Sequence, residues 1–245
     1  MPRFKLIIAY DGKPFVGWQR QDNGLGVQEV IEGAIEAFSG EKVACYCAGR
    51  TDAGVHAYGQ VAHFDLPGDW KHSRVRDALN AKIRPQPISI IAVEVVDENF
   101  HARFSATERH YEYHILNRRS PPALELGRVW WVPSTLDTSS MRDAAKMLQG
   151  KHDFSSFRAA GCQAQSPIKT LDELTVKKVG DCLIITARAR SFLYHQVRNI
   201  VGTLSLVGLG KWTQENVIDA LEACDRTRAG PTAPPEGLFL VGARY

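Results

Sequence analysis

The sequence predicts an α+β protein made of two β-α-β-β-α-β-like halves, each able to form a sheet with helices on one face. Two observations point there. Apolar residues switch repeatedly between a period of two and a period near 3.6 along the chain. The order of the resulting segments in residues 1–105 is then approximately repeated in 106–245, with the joint in ENFHARFSAT at 98–107.

The first half reads as follows. Phe4, Leu6, Ile8 and Tyr10 alternate, which predicts a strand over 3–10, and Asp11-Gly12 turns the chain. Val27, Val30, Ile31, Ala34, Ile35 and Phe38 fall at helical spacing, with Gly40 as the stop. Strands are expected at 43–48 and 60–66, on either side of a glycine-rich loop. Val75, Ala78, Leu79 and Ile83 predict a second helix, with Ser73 as N-cap and Pro85 and Pro87 as its end. Ile88 to Val96, rich in β-branched residues, closes the half as a strand. In the second half, strands are expected at 109–116, 171–179, 182–190 and 237–243. Helices are expected at 139–149, 195–208 and 213–224. Tyr111, Tyr113 and Ile115 share one strand face. No residue-level repeat relates the halves.

Composition sets the class. Of 245 residues, 44% are hydrophobic and 23% charged, ordinary for a globular protein with a sizeable core. No apolar run is long enough to span a bilayer, so no membrane segment is expected, and the first apolar run reads as a strand. Five scattered cysteines without a CxxC pair suit reduced thiols in the cytoplasm. The net charge of +3 is uneven. Residues 1–105 hold twelve basic and thirteen acidic side chains, and residues 106–245 hold eighteen and fourteen. That asymmetry suits a phosphate-bearing partner, or equally a solubilising surface.

Four segments are candidates for chemistry. The first is CAGRTDAGVHAYGQVAHF, Cys47 to Phe64, with Gly49, Gly54 and Gly59 at intervals of five. Small residues flank Asp52, leaving room for a bulky ligand, and Arg50 and Thr51 would keep the carboxylate ionised. An ionised, oriented carboxylate acts as nucleophile or base. A plain turn with an Arg50–Asp52 pair is the alternative. His56 is a candidate RNA contact in the same segment. The second is SFLYHQVRNIVG, 191–202, where Arg188, Arg190 and Phe192 alternate at a strand end and Arg198 opens a helix. Arginines beside aromatics suit phosphates and stacked bases. The third is Arg109-His110-Tyr111-Glu112-Tyr113, which reads as core when taken alone. The fourth is the polar stretch from His152 to Arg158, an RNA contact or a helix cap.

Other chemistries lack motifs. Cys45, Cys47, His56 and His63 lie within 19 residues, but no CxxC, H-x-E or P-C-x-x-C accompanies them, so no metal is expected. Neither GxxxxGK[ST] nor GxGxxG is present, and no carboxylate pair of the glycosidase kind stands out.

GRTDAGVHAYGQVAHF resembles the signature of the bacterial tRNA pseudouridine synthase A (TruA) family. FKLIIAYDGKPFVGWQRQ, FHARFSATERHYEYHI, HDFSSFR, SFLYHQVRNIVGTL and APPEGLFL resemble further family segments in the same order, so the resemblance covers essentially the whole chain. It implies the pseudouridine synthase fold, two α/β subdomains whose sheets join into one antiparallel sheet flanked by helices with a basic cleft between them, and a homodimer acting without a cofactor. It implies a substrate as well: uridines 38, 39 and 40 in the anticodon stem-loop of tRNA. By the same resemblance Asp52 matches the catalytic aspartate, and Tyr111 a tyrosine stacked on the target base. Arg198 matches an arginine paired with the aspartate, and Arg50 one beside the target nucleotide. Arg158, Arg188 and Arg190 join His56 as candidate RNA contacts. Two other readings stay open: a tRNA-binding module without chemistry, and a related synthase acting on other RNAs.

Overall fold

The computed structural model describes all 245 residues, and the chain divides into two compact units. Unit 1 comprises Met1–Arg109 and Phe239–Tyr245, and unit 2 comprises His110–Leu238. No helix is long and apolar enough to cross a membrane.

Unit 1 is built on β1 (Arg3–Tyr10), α1 (Val27–Ser39), β2 (Tyr46–Cys47), β3 (His56–Asp65), α2 (His72–Ile83) and β4 (Ile88–Val96). The strand order is β4-β1-β3, with both pairings antiparallel and β2 on β3. The alternation expected in β1 is observed: Phe4, Leu6, Ile8 and Tyr10 are buried and their neighbours are not. Val27, Ile31, Ala34 and Ile35 form the inner stripe of α1, and Val75, Leu79 and Ile83 that of α2. Burying each large apolar side chain contributes about 1.5–3 kcal/mol. Gly40 ends α1 in the left-handed region, its N–H donating to the Glu36 carbonyl, as the sequence predicts. For α2 the expectation fails. Lys71 occupies the N-cap without a side-chain cap, its carbonyl accepting the Val75 N–H at 3.1 Å, so Ser73 lies inside the helix.

Two strand boundaries also differ. The strand expected at 43–48 is only two residues long. The one expected at 60–66 starts four residues earlier, at His56, so the end of the expected loop at 49–59 is sheet. The closing strand, β10 (Leu238–Arg244), returns to unit 1 and runs parallel to β3, Phe239 against His56 and Leu240 against Ala57. Gly59 permits it, since a Cβ there would stand 2.4 Å from the Val241 carbonyl oxygen.

Unit 2 takes most of β5 (Glu108–Leu116), then β6 (Trp130–Trp131), α3 (Thr138–Met147), β7 (Gly150–Asp153), β8 (Ile168–Val179), β9 (Cys182–Ala189), α4 (Gln196–Gly208) and α5 (Gln214–Glu222). The strand order is β5-β9-β8-β7, with β6 parallel to β5. The short β6 and β7 were not expected; β7 takes up the start of the polar stretch at 152–158, and a 3₁₀ turn at Ser155–Phe157 takes up its middle. Tyr111, Tyr113 and Ile115 are buried together, as the alternation predicts. α4 is buried on nearly every side, so its polar residues need internal partners. Asn199 has them: its Nδ2 donates to the Phe157 carbonyl at 2.8 Å, and its Oδ1 accepts from Thr232 at 2.7 Å and Arg226 at 3.1 Å. Gly202 is where the 230–233 segment crosses, because a Cβ there would fall 1.7 Å from the Pro231 carbonyl oxygen.

Candidate active site

The glycine-rich segment of unit 1 is a short loop held from several sides. Asp52 is bridged antiparallel to Gly17, and the Trp18 N–H donates to the Thr51 carbonyl at 3.0 Å. Thr51 is buried, and its Oγ1 lies 2.7 Å from the Tyr10 hydroxyl at the end of β1. After Asp52 the chain reverses through a turn closed by the Val55 N–H on the Asp52 carbonyl at 3.1 Å. Gly54 is the third residue of that turn and has φ +76°, where a side chain would be strained.

The segment just before the loop is anchored as firmly. Gln60 Nε2 donates to the Gly49 carbonyl at 2.7 Å. Arg109, buried in unit 1, grips the Ala48 carbonyl with Nε at 3.2 Å and Nη2 at 2.9 Å. The same guanidinium donates to the Ala106 carbonyl at 3.0 Å and to the Arg103 carbonyl, tying the 101–106 segment to the loop. A buried arginine that spends its fork on carbonyls orders backbone, since each charge-assisted bond is stronger than a neutral one.

The result is a half-buried carboxylate with a fixed backbone, next to the exposed Arg50. Chemically, such a group can attack a carbon or take a proton without first ordering its own chain. His56 has a packing position instead. It is buried on β3, its Nδ1 accepts the Gly12 N–H at 3.0 Å, and its ring stacks on Phe239 at 4.8 Å. Gly12 fits that approach because its Cβ position lies 2.0 Å from the Val55 carbonyl oxygen.

In unit 2, Tyr111 is almost fully buried and meets the Phe192 ring edge-on at 5.2 Å. Tyr113 is a core residue: its hydroxyl donates to the Pro234 carbonyl at 2.7 Å, and burial pushes its acidity below that of an ordinary tyrosine. Arg198 on α4 is half-buried and donates from Nε to the Ala233 carbonyl at 2.8 Å, which orients its guanidinium. Arg158 donates to the carbonyls of Cys162 and Ala164 at 2.7 and 2.8 Å, ordering its own loop. Arg188 lies 3.3 Å from Glu173 across β8 and β9, and Arg190, one step further along the same face, is exposed. Of the candidates, Arg50, Asp52 and His56 lie in unit 1, on the glycine-rich loop and at the start of β3, and Tyr111, Arg158, Arg188, Arg190 and Arg198 lie in unit 2. No group of three or more His, Cys, Asp or Glu side chains is placed to hold a metal ion.

The anchors Tyr10, Gly12, Gly17, Trp18, Gln60 and Arg109 were not singled out for this role in the sequence. Only Arg109 carried a signal, a charged residue in phase with the buried Tyr111 and Tyr113.

Comparison with known proteins bears on the same segments. A family model described as tRNA pseudouridine synthase matches residues 6–105 and 144–245. Proteins named tRNA pseudouridine synthase A are similar over the whole chain. The one from Paramagnetospirillum magneticum is 58% identical over all 245 residues, which cover 96% of its length. Those from Rhodospirillum rubrum and Rhodospirillum centenum are each 56% identical over the full chain, covering 88% and 100% of their lengths. With two family segments that take in the anchored Asp52 loop and α4, and relatives aligned end to end, this chain belongs to the tRNA pseudouridine synthase family.

Proposed function

We propose that the protein is an RNA-uridine isomerase that converts uridine to pseudouridine at positions 38, 39 and 40 of the tRNA anticodon stem-loop. The N1–C1′ bond breaks and a C1′–C5 bond forms. C5 gives up its proton and N1 gains one, so the step consumes no oxidant or reductant and needs no cofactor. Asp52 is the catalytic carboxylate of this reading. The observation that carries it is the Gly17–Asp52 bridge with Thr51 pinned at both its carbonyl and its hydroxyl, which fixes a carboxylate beside Arg50. Attack on C1′, attack on C6 and removal of a sugar proton all require that fixed, ionised group.

Arg50, Tyr111 and Arg198 are the substrate-binding side chains of the proposal. A paired or stacked uridine must leave its stack at a cost of a few kcal/mol, and an arginine and an aromatic ring offset that cost by filling the gap and covering the base. Arg190, exposed at the end of β9, is the best placed of the remaining arginines for a phosphate; Arg188 would first have to leave Glu173. The protein is further proposed to work in the cytoplasm as a homodimer.

The test is tritium release from tRNA transcripts labelled at uridine C5, with no cofactor added. Release by the wild-type chain, its loss in Asp52→Ala with tRNA binding kept within a few-fold, and mapping of the sites to 38–40 are expected. Binding without release would reduce the protein to a tRNA-binding module. Release from other RNAs at other sites would make it a synthase of different specificity.

A further inference from the structure

Unit 1 carries a row of aromatic rings that the chemistry of Asp52 does not use. Tyr46 leads β2, and its side chain is 53% exposed; Phe104, in the segment tied down by Arg109, is 71% exposed. The His101 ring stands between them, 5.7 Å from Tyr46 and 4.4 Å from Phe104. Beneath the row, buried His63 stacks on Tyr46 at 5.3 Å with 27° between the planes.

The row is held in place. The Ala102 N–H donates to His63 Nδ1 at 3.2 Å, and the Arg103 N–H donates to His101 Nδ1 at 3.1 Å. Burial makes both histidines less basic than usual, helped at His63 by His101 and Arg3 and at His101 by Arg3 and Arg103. Arg103 lies over the Phe104 ring, 5.6 Å from its centre.

Large exposed rings are costly on a surface with no partner, and a cluster of them marks a contact. Here the exposed apolar groups are rings, with the Arg103 guanidinium over one of them. Ring faces with guanidinium groups beside them suit unpaired nucleobases joined by phosphates. We propose that Tyr46, His101 and Phe104 form a stacking platform for unpaired bases of the RNA substrate, with Arg103 at a linking phosphate. The proposal rests on the reading that the substrate is tRNA.

The experiment uses the full chain and an unmodified tRNA transcript carrying 2-aminopurine in the anticodon loop. Phe104→Ala is expected to weaken binding about five- to a hundredfold, the range for losing one stacked base, and to remove the fluorescence quenching. Phe104→Leu keeps apolar area without a π-face and is expected to lose nearly as much; Phe104→Trp restores it. Turnover at saturating tRNA stays within about twofold of wild type, so the loss falls on KM. Wild-type affinity in Phe104→Leu overturns the platform. A change of oligomeric state in Phe104→Ala, at unchanged RNA affinity, overturns it too and gives the face to a second copy of the chain. If the wild-type chain forms pseudouridine while the variants bind normally, only the platform fails. If the wild-type chain neither binds nor modifies the transcript, the reading beneath it fails as well.

Discussion

Gly17→Ala tests whether the backbone bridge positions Asp52. Gly17 has φ +117°, and a Cβ there would stand 2.7 Å from the Thr51 carbonyl oxygen and 3.2 Å from the Ala53 nitrogen. Ordinary contact starts near 3.4 Å, so the Thr51 carbonyl must retreat by about 0.7 Å, and the atoms in the way are backbone. The strained φ costs about 1–3 kcal/mol and the overpacking about 1–3 more, for a total of roughly 2–6 kcal/mol. A domain of ordinary stability survives that loss. The Asp52 carboxylate proposed above to carry the reaction does not escape it, because Thr51 and Asp52 move together. A misplacement near 1 Å costs about a hundredfold, so turnover should fall roughly ten- to a hundredfold. The assay is tritium release at saturating tRNA, run well below the variant's melting temperature so that unfolding does not contribute. Gly33→Ala on the exposed side of α1 is the control: nothing lies within 4 Å of its Cβ, and it should stabilise by about 0.5–1 kcal/mol with unchanged turnover. Wild-type turnover in Gly17→Ala would refute the claim that the bridge positions Asp52.

Two further perturbations follow from the same frame. Arg109→Met leaves the Ala48 and Ala106 carbonyls without their donor and should cost about 2–6 kcal/mol in urea unfolding, at about 1–3 kcal/mol for each buried group left unpaired. Arg109→Lys keeps the charge but cannot fork, so it should recover part of the stability and little of the turnover, with tRNA affinity less affected; equal recovery of both would make Arg109 a stability residue alone. The second concerns acid. Burial, with His101 and Arg3 nearby, lowers the pKa of His63 from 6.5 to about 4. Between those values the unfolded chain binds the proton that the folded chain refuses. The contribution is therefore complete above pH 6.5 and is lost as pH falls towards 4, with an upper limit of about 3 kcal/mol. Urea midpoints from pH 7 to 4 should drop more steeply in wild type than in His63→Phe; parallel curves would show that His63 does not carry the acid sensitivity.

The elements legible in the sequence are those set by local pattern. β1, α1 and α4 announce themselves through period and end signals, and the glycine at the end of α1 does what its position suggests. What depends on distant partners was not legible. The strand at 238–244 is visible as apolar sequence, but its parallel pairing with β3 joins residues more than 180 apart. β6 and β7 are too short to show a period. The five-residue spacing of glycines is another case. Gly54 serves a positive φ, and Gly59 serves the close approach of β10, so an apparent repeat is a coincidence of separate needs. At the site, the loop was legible by its residue types, but its supports were not, because Tyr10 and Trp18 look like core and Gly12 and Gly17 look like turns.

Those supports explain how a half-exposed carboxylate can be rigid. A fully buried Asp52 would be held by packing, but burial would raise its pKa and disfavour the ionised form that the chemistry needs. A fully exposed one would stay ionised, yet its chain would wander. The chain separates the two requirements. Five buried residues outside the loop act on it: Tyr10, Gln60 and Arg109 through side chains on Thr51, Gly49 and Ala48, and Gly17 and Trp18 through backbone on Asp52 and Thr51. The Asp52 side chain is left half-exposed, with Arg50 beside it. Damage to the supports should therefore appear in turnover before it appears in RNA affinity, whereas damage to the aromatic row at Tyr46 and Phe104 should appear in affinity first.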